Sequence, residues 1–213
     1  MVANSTHSPT SPANSQLDAL AIVGGTTILA AIVVGSQFAA AEYGQAITRN
    51  TIRLSLAWYA LALFLMMRLS RSDWATVTLR GRLARWCWTW GLFAFLVHLA
   101  AAFHYFHQWS HAHAFEHTRQ VSGWGEGIYL SYLFTLLWAA DTVWWWLLPS
   151  AYAVRSEWLH RALHAFMLFI AFNSTVVFET GPIRWAAAAG TAALAIAWLV
   201  KRQRTHVAPQ GPS

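Results

Sequence analysis

Charge is scarce in this chain. Of 213 residues only 10% are Asp, Glu, Lys or Arg, against about 25% in soluble domains. Some 57% are hydrophobic and the mean hydropathy is +0.38. An ordinary water-soluble domain is thereby excluded, and an integral membrane protein is implied. Cysteine is nearly absent. Cys87 stands alone, which rules out an intrachain disulfide, a cysteine-based zinc site and a C-x-x-C-H haem attachment. Residues Met1 to Gln16 contain no Lys or Arg. The apolar run Leu17 to Ala41 that follows therefore lacks the basic region of a secretory signal. Although Ala39-Ala40-Ala41 could form a cleavage site, it reads as a retained helix. Glycine and proline are missing between Gly91 and Gly123, so no breaker stops a helix there.

What is present divides the chain into six apolar segments. They are Leu17–Ala41, Ile52–Met67, Trp86 to about His107, Ile128–Leu148, Trp158–Phe178 and Ile183–Val200. The expected fold is all-α, a polytopic transmembrane bundle of six spans over residues 17–200. A disordered polar tail (residues 1–16) precedes it and a short polar tail (residues 201–213) follows it. The net charge of +6 is no nucleic-acid signal, because the basic residues punctuate apolar segments. Arg68, Arg71, Arg80, Arg82, Arg85, Arg155, Arg161, Lys201, Arg202 and Arg204 fall on one side. Only Arg49, Arg53, Arg119 and Arg184 fall on the other. The positive-inside rule then puts both termini in the cytoplasm of a plasma or inner membrane. Fourteen Trp residues suit the bilayer interface, so lipid is the expected partner, with a second membrane protein as a further one.

The stretch His98 to His117 holds six of the ten histidines, at 98, 104, 107, 111, 113 and 117. Read as one helix from Gly91 to Gly123, it spans about 45 Å. The hydrocarbon core is roughly 30 Å thick, so the third span is expected to continue outside the membrane at least to His113. On that helix His104, His107 and His111 share one stripe, while His113 and His117 lie opposite. Histidines at i, i+4, as in His107/His111 and His113/His117, can chelate one metal ion. Glu42, Glu116, Glu126 and Glu179 fall on the same outward side and complete a candidate metal set. Imidazole with carboxylate suits zinc, iron or copper.

The sequence His113-Ala-Phe-Glu116-His117 also matches H-x-x-E-H, the inverted zinc-protease pattern, without the soluble scaffold of those enzymes. The histidine spacings resemble the boxes of membrane di-iron desaturases and hydroxylases. Those enzymes gather their boxes on one membrane face, whereas here His160 and His164 belong to the opposite face from the larger cluster. A haem b held by His98 and His164 is an alternative cofactor. Asp141 and His164 lie about two turns from the inner ends of consecutive spans and are expected to pair, because an acid inside a span is costly and a functional pointer. Three functional classes follow. The first is an outward metal site for metal handling or metal-dependent membrane chemistry. The second is a haem-b electron-transfer protein. The third is a non-catalytic membrane component that binds lipid or a partner.

Overall fold

A computed structural model describes residues 12–39, 42–75, 78–177 and 181–207. Among these the chain is helical, with α1 (Pro12–Ala39), α2 (Tyr43–Met66), α3 (Arg71–Ala75), α4 (Leu79–Tyr105) and α5 (His111–Ser122) in its first half. The second half holds α6 (Gly127–Leu147), α7 (Pro149–Ala153), α8 (Glu157–Phe172), a π turn (Asn173–Val177) and α9 (Pro182–Val207). The long helices fall where the apolar segments are. Residues 1–11 of the expected N-terminal tail lie outside the described residues, and its last five already belong to α1. Likewise α9 runs past Lys201 to Val207.

Among the described residues, two helices are long and apolar enough to cross a membrane, Ser15–Phe38 with mean hydropathy 2.2 and Leu79–Tyr105 with 1.5. Polar and amphipathic residues interrupt two of the other long helices. Arg49 and Arg53 lie in α2, and α6 carries Tyr129, Tyr132 and four tryptophans. Large apolar side chains nevertheless point outward along the chain, among them Leu20, Phe38, Leu136 and Trp185. A surface this apolar is uncommon on soluble monomers.

The core lies where α2, α4 and α6 meet. Trp88 and Trp138 are fully buried with ring centroids 5.2 Å apart. Tyr59 stacks on Trp88 at 5.5 Å and meets Trp138 edge-on at the same distance. Along α2 the residues turned inward include a row spaced by four, Thr51, Ser55, Tyr59 and Leu63, of which the first two are small. Small residues let two helix backbones approach closely. Ser55 Oγ donates across the interface to the Gly91 carbonyl at 2.8 Å.

The ends of the bundle are set by caps and by one unexpected corner. Thr78 caps α4 by accepting from the Gly81 amide at 3.1 Å. Pro149 opens α7 immediately after α6 ends. The expectation of one unbroken helix from the third span to His113 is corrected here. The α4 helix stops at Tyr105, and Gln108 and Trp109 adopt left-handed backbone, with φ of 49° and 57°. The physical reason is a new start and not a breaker. Ser110 caps α5 by accepting from the His113 amide at 3.3 Å. The Trp109 amide meanwhile donates back to the Phe103 carbonyl at 3.0 Å.

Helix α1 is tied to α4 at two levels. Asp18 pairs with Arg82 and accepts from Trp86 Nε1 at 2.9 Å. One turn further on, Trp90 Nε1 donates to the Ala21 carbonyl at 2.9 Å. The Trp90 indole lies so close to Gly25 that a Cβ there would overlap it, whereas a Cβ at Gly24 meets nothing within 4 Å. The two neighbouring glycines should therefore respond with opposite signs. Gly24→Ala should hold or raise the unfolding temperature, since Ala is favoured over Gly in a helix by about 1 kcal/mol. Gly25→Ala should lower stability by about 1–3 kcal/mol through overpacking. Thermal unfolding of the two variants in detergent checks this, and equal shifts would contradict the packing described.

Candidate functional site

Two polar constellations stand at opposite ends of the bundle. At the α5 end the corner after Tyr105 folds α5 back, so His107 and His117, far apart on an unbroken helix, come together with their ring planes tilted by 52°. Their ring centroids are 5.2 Å apart. His107 is buried, at 9% exposure, with Phe103 edge-on to its ring at 5.5 Å. Burial first, and then the nearby rings of His117 and His113, hold the His107 imidazole below its usual range. His107 is therefore neutral at physiological pH, the form in which imidazole ligates metals.

The remaining expected ligands disperse. His111 is held by two tyrosines, with Nδ1 3.0 Å from the Tyr132 hydroxyl and Nε2 3.5 Å from the Tyr129 hydroxyl. The expected His107/His111 pair is thus replaced by His107/His117, because the helix that would have aligned the former is broken between them. His104 is exposed against Tyr105. Glu116 accepts from Arg119 and Gln120, and these bonds hold it below the usual carboxylate range. Glu42 accepts from Gln45 at 2.8 Å. Glu126 is exposed at the start of α6, and Glu179 lies outside the described residues. Among the described residues, no three His, Cys, Asp or Glu side chains stand closely enough to hold one ion together.

At the other end Asp141 is buried on α6, as its place in an apolar run suggests, but its partner is not His164. The carboxylate accepts from Tyr152 Oη at 2.9 Å and from Arg155 Nη1 at 2.6 Å. The Asp141 and Arg155 side chains are only 3% and 5% exposed. The correction has a simple cause. The loop after α7 turns a long arginine back into the bundle, and a guanidinium offers a carboxylate more than an imidazole does. Arg155 Nη2 also donates to His160 Nδ1. Because arginine only donates, the proton of neutral His160 sits on Nε2. His164 packs on His160 at 4.5 Å and on Trp88 at 5.5 Å, and both of its ring nitrogens are buried without a hydrogen-bond partner among the described residues.

Trp74, Tyr152, Arg155, Glu157 and His160 line a cleft of about 360 Å³ at this end. Sequence reasoning missed Tyr152, Arg155 and Trp74. The signal was faint: an arginine five residues ahead of a histidine, in a loop where it reads as a topological anchor.

The haem alternative meets an obstacle of depth. His98 Nδ1 lies 2.9 Å from the Thr48 carbonyl oxygen, while His164 packs against Trp88, ten residues earlier on α4. That separation is about 15 Å along the helix axis, so the two imidazoles do not flank one iron. Comparison with protein-family models, curated proteins and solved structures finds no match to this chain.

Two expectations follow from this geometry. His107 has a lowered folded value, so its neutral form is favoured by folding. The stability it contributes is full above the unfolded value of 6.5 and falls as the pH drops below it. Acidification from about pH 7.5 to about pH 5 should therefore lower the unfolding temperature more in the wild type than in His107→Gln. Equal slopes would show that His107 is not the sensitive group.

The Asp141–Arg155 pair should show the asymmetry of buried ions. Arg155→Leu should cost about 3–5 kcal/mol by leaving a buried carboxylate unpaired. The double variant Asp141→Leu/Arg155→Leu should recover much of that loss. A double variant less stable than Arg155→Leu would mean the pair stabilises by more than mutual compensation.

Proposed function

We propose that the chain is a multi-pass membrane protein of six spans, with both termini in the cytoplasm and the histidine corner on the outer face. In this reading it handles a transition-metal ion there through His107 and His117. The membrane assignment draws on the two apolar helices and on the outward-facing apolar side chains. Its orientation draws on the arginines gathered at the α3 and α7 end.

One observation carries the metal reading. A backbone corner of two left-handed, non-glycine residues brings a buried, neutral imidazole against a second one 5.2 Å away. Consecutive residues in that region are costly, and such strain concentrates at functional sites. A pair of imidazoles binds zinc, copper or iron through nitrogen and leaves the other coordination positions open. An open, loosely held ion suits transfer better than structural storage. In this reading His113, one turn before His117 on α5, serves as a further ligand as the ion moves on.

Purified protein equilibrated with zinc or copper and then desalted should carry about one ion per chain. His107→Ala and His117→Ala should each weaken binding at least about tenfold, matching loss of one of two ligands. His111→Ala should leave it unchanged, because that ring is engaged by Tyr129 and Tyr132. Metal content by mass spectrometry decides. If neither histidine variant alters it, the chain is better read as a non-catalytic membrane component that binds lipid or a partner.

A further inference from the structure

The α3 and α7 end holds a guanidinium with no ion-pair partner among the described residues. Arg82 and Arg85 lie in the first two turns of α4 and are 7% and 4% exposed. Arg82 has its carboxylate, Asp18. Arg85 has none. Its guanidinium sits over the rings of Trp145 and Trp146, at 5.2 and 5.0 Å, and its Nε and Nη2 are buried without a hydrogen-bond partner. Arg82 Nη1 is buried and unpartnered as well.

The acids at this end are already engaged. Asp18 serves Arg82, and Asp141 serves Arg155. Glu157 pairs with Arg161, and Asp73 accepts from Ser70 and Thr78. Stacking on two indoles stabilises a guanidinium in part, but it leaves the in-plane N–H groups unsatisfied. Arginine has no neutral form to retreat to at physiological pH. A buried charge in that position calls for an anion with several acceptor oxygens.

The geometry points to a phosphate group as the ligand of Arg85 and of the free Nη1 of Arg82, and specifically to the headgroup of an anionic phospholipid. The inference rests on the membrane reading above. Two arginines three residues apart on one helix present donors to a tetrahedral anion from one side. The surroundings are those of a bilayer interface. Trp86 and Trp146 meet edge-on at 4.9 Å at this level, and Leu79 and Leu83 are exposed at 59% and 40% on the same turns of α4. Indole rings favour the headgroup depth. An acyl chain would follow the apolar outer face while the phosphate reaches inward.

The full chain, extracted in detergent and measured by native mass spectrometry, provides the test. With phosphatidylglycerol added, the wild type should retain one lipid through delipidation. Phosphatidylcholine should be retained at least about tenfold more weakly. Arg85→Met, of similar length and no charge, should lose the preference. Arg85→Lys, which keeps the charge without the planar fork, should keep part of it and covers the case in which Arg85→Met fails to fold.

Displacement of the lipid by millimolar inorganic phosphate, with equal protection against heat, would identify free phosphate as the ligand and overturn the lipid assignment. Equal retention of both lipids by wild type and Arg85→Lys would overturn the site. A chain that stays soluble without detergent would instead refute the membrane reading on which it stands.

Discussion

One buried carboxylate organises the α3 and α7 end of the molecule. Asp141 sits on α6 with a side chain only 3% exposed, and a lone carboxylate in such surroundings is several kcal/mol out of favour. The chain answers within fourteen residues. The short α7 helix presents Tyr152, and the turn after it swings Arg155 inward, so hydroxyl and guanidinium both reach the carboxylate. Everything nearby conforms to that demand. Tyr152 lies flat on Trp145 at 5.0 Å, and Trp74 from α3 stacks on the same pair of rings. Arg155 then has one remaining amino group to satisfy, and His160 accepts from it. Thus α3, α7 and the start of α8 are held together by the consequences of one acid.

That acid was legible in the sequence and its partner was not. A charged residue inside an apolar run announces that it must face protein and be paired. Which residue pairs with it depends on how far a loop side chain can reach. Arg155 reads in the sequence as a membrane-flanking charge, and an arginine long enough to snorkel outward is also long enough to fold inward. The same blindness hid the Asp18–Arg82 pair, whose members are 64 positions apart. The apolar segments themselves were plain, because long unbroken hydrophobic runs leave few alternatives to helix.

The two ends of the bundle solve different problems. At the arginine end the difficulty is burying charge, and the solution is mutual compensation backed by tryptophan faces. At the histidine end the polar groups are mostly exposed, and the difficulty is backbone. Exposed histidines placed on a continuous helix would face water in two opposed stripes. Breaking that helix brings one member of each stripe together, which is how His107 and His117 meet although the periodicity of the sequence separates them.

The break itself carries no sequence flag, and the reason is instructive. Left-handed backbone is ordinarily left to glycine, and a bulky residue such as tryptophan there is a true outlier. Gln108 and Trp109 each forfeit roughly 1–3 kcal/mol, so the surroundings must offset it. Trp109 packs its ring against Phe103 at 6.1 Å while its amide donates to the Phe103 carbonyl. The Ser110 amide donates to the His107 carbonyl at 2.8 Å, and its hydroxyl caps α5. A glycine at position 109 would remove the strain there at the loss of the ring contact with Phe103. The corner is held by these backbone hydrogen bonds and the serine cap, with the Trp109 ring itself still 66% exposed. Sequence rules that weigh only the backbone preference read straight through it.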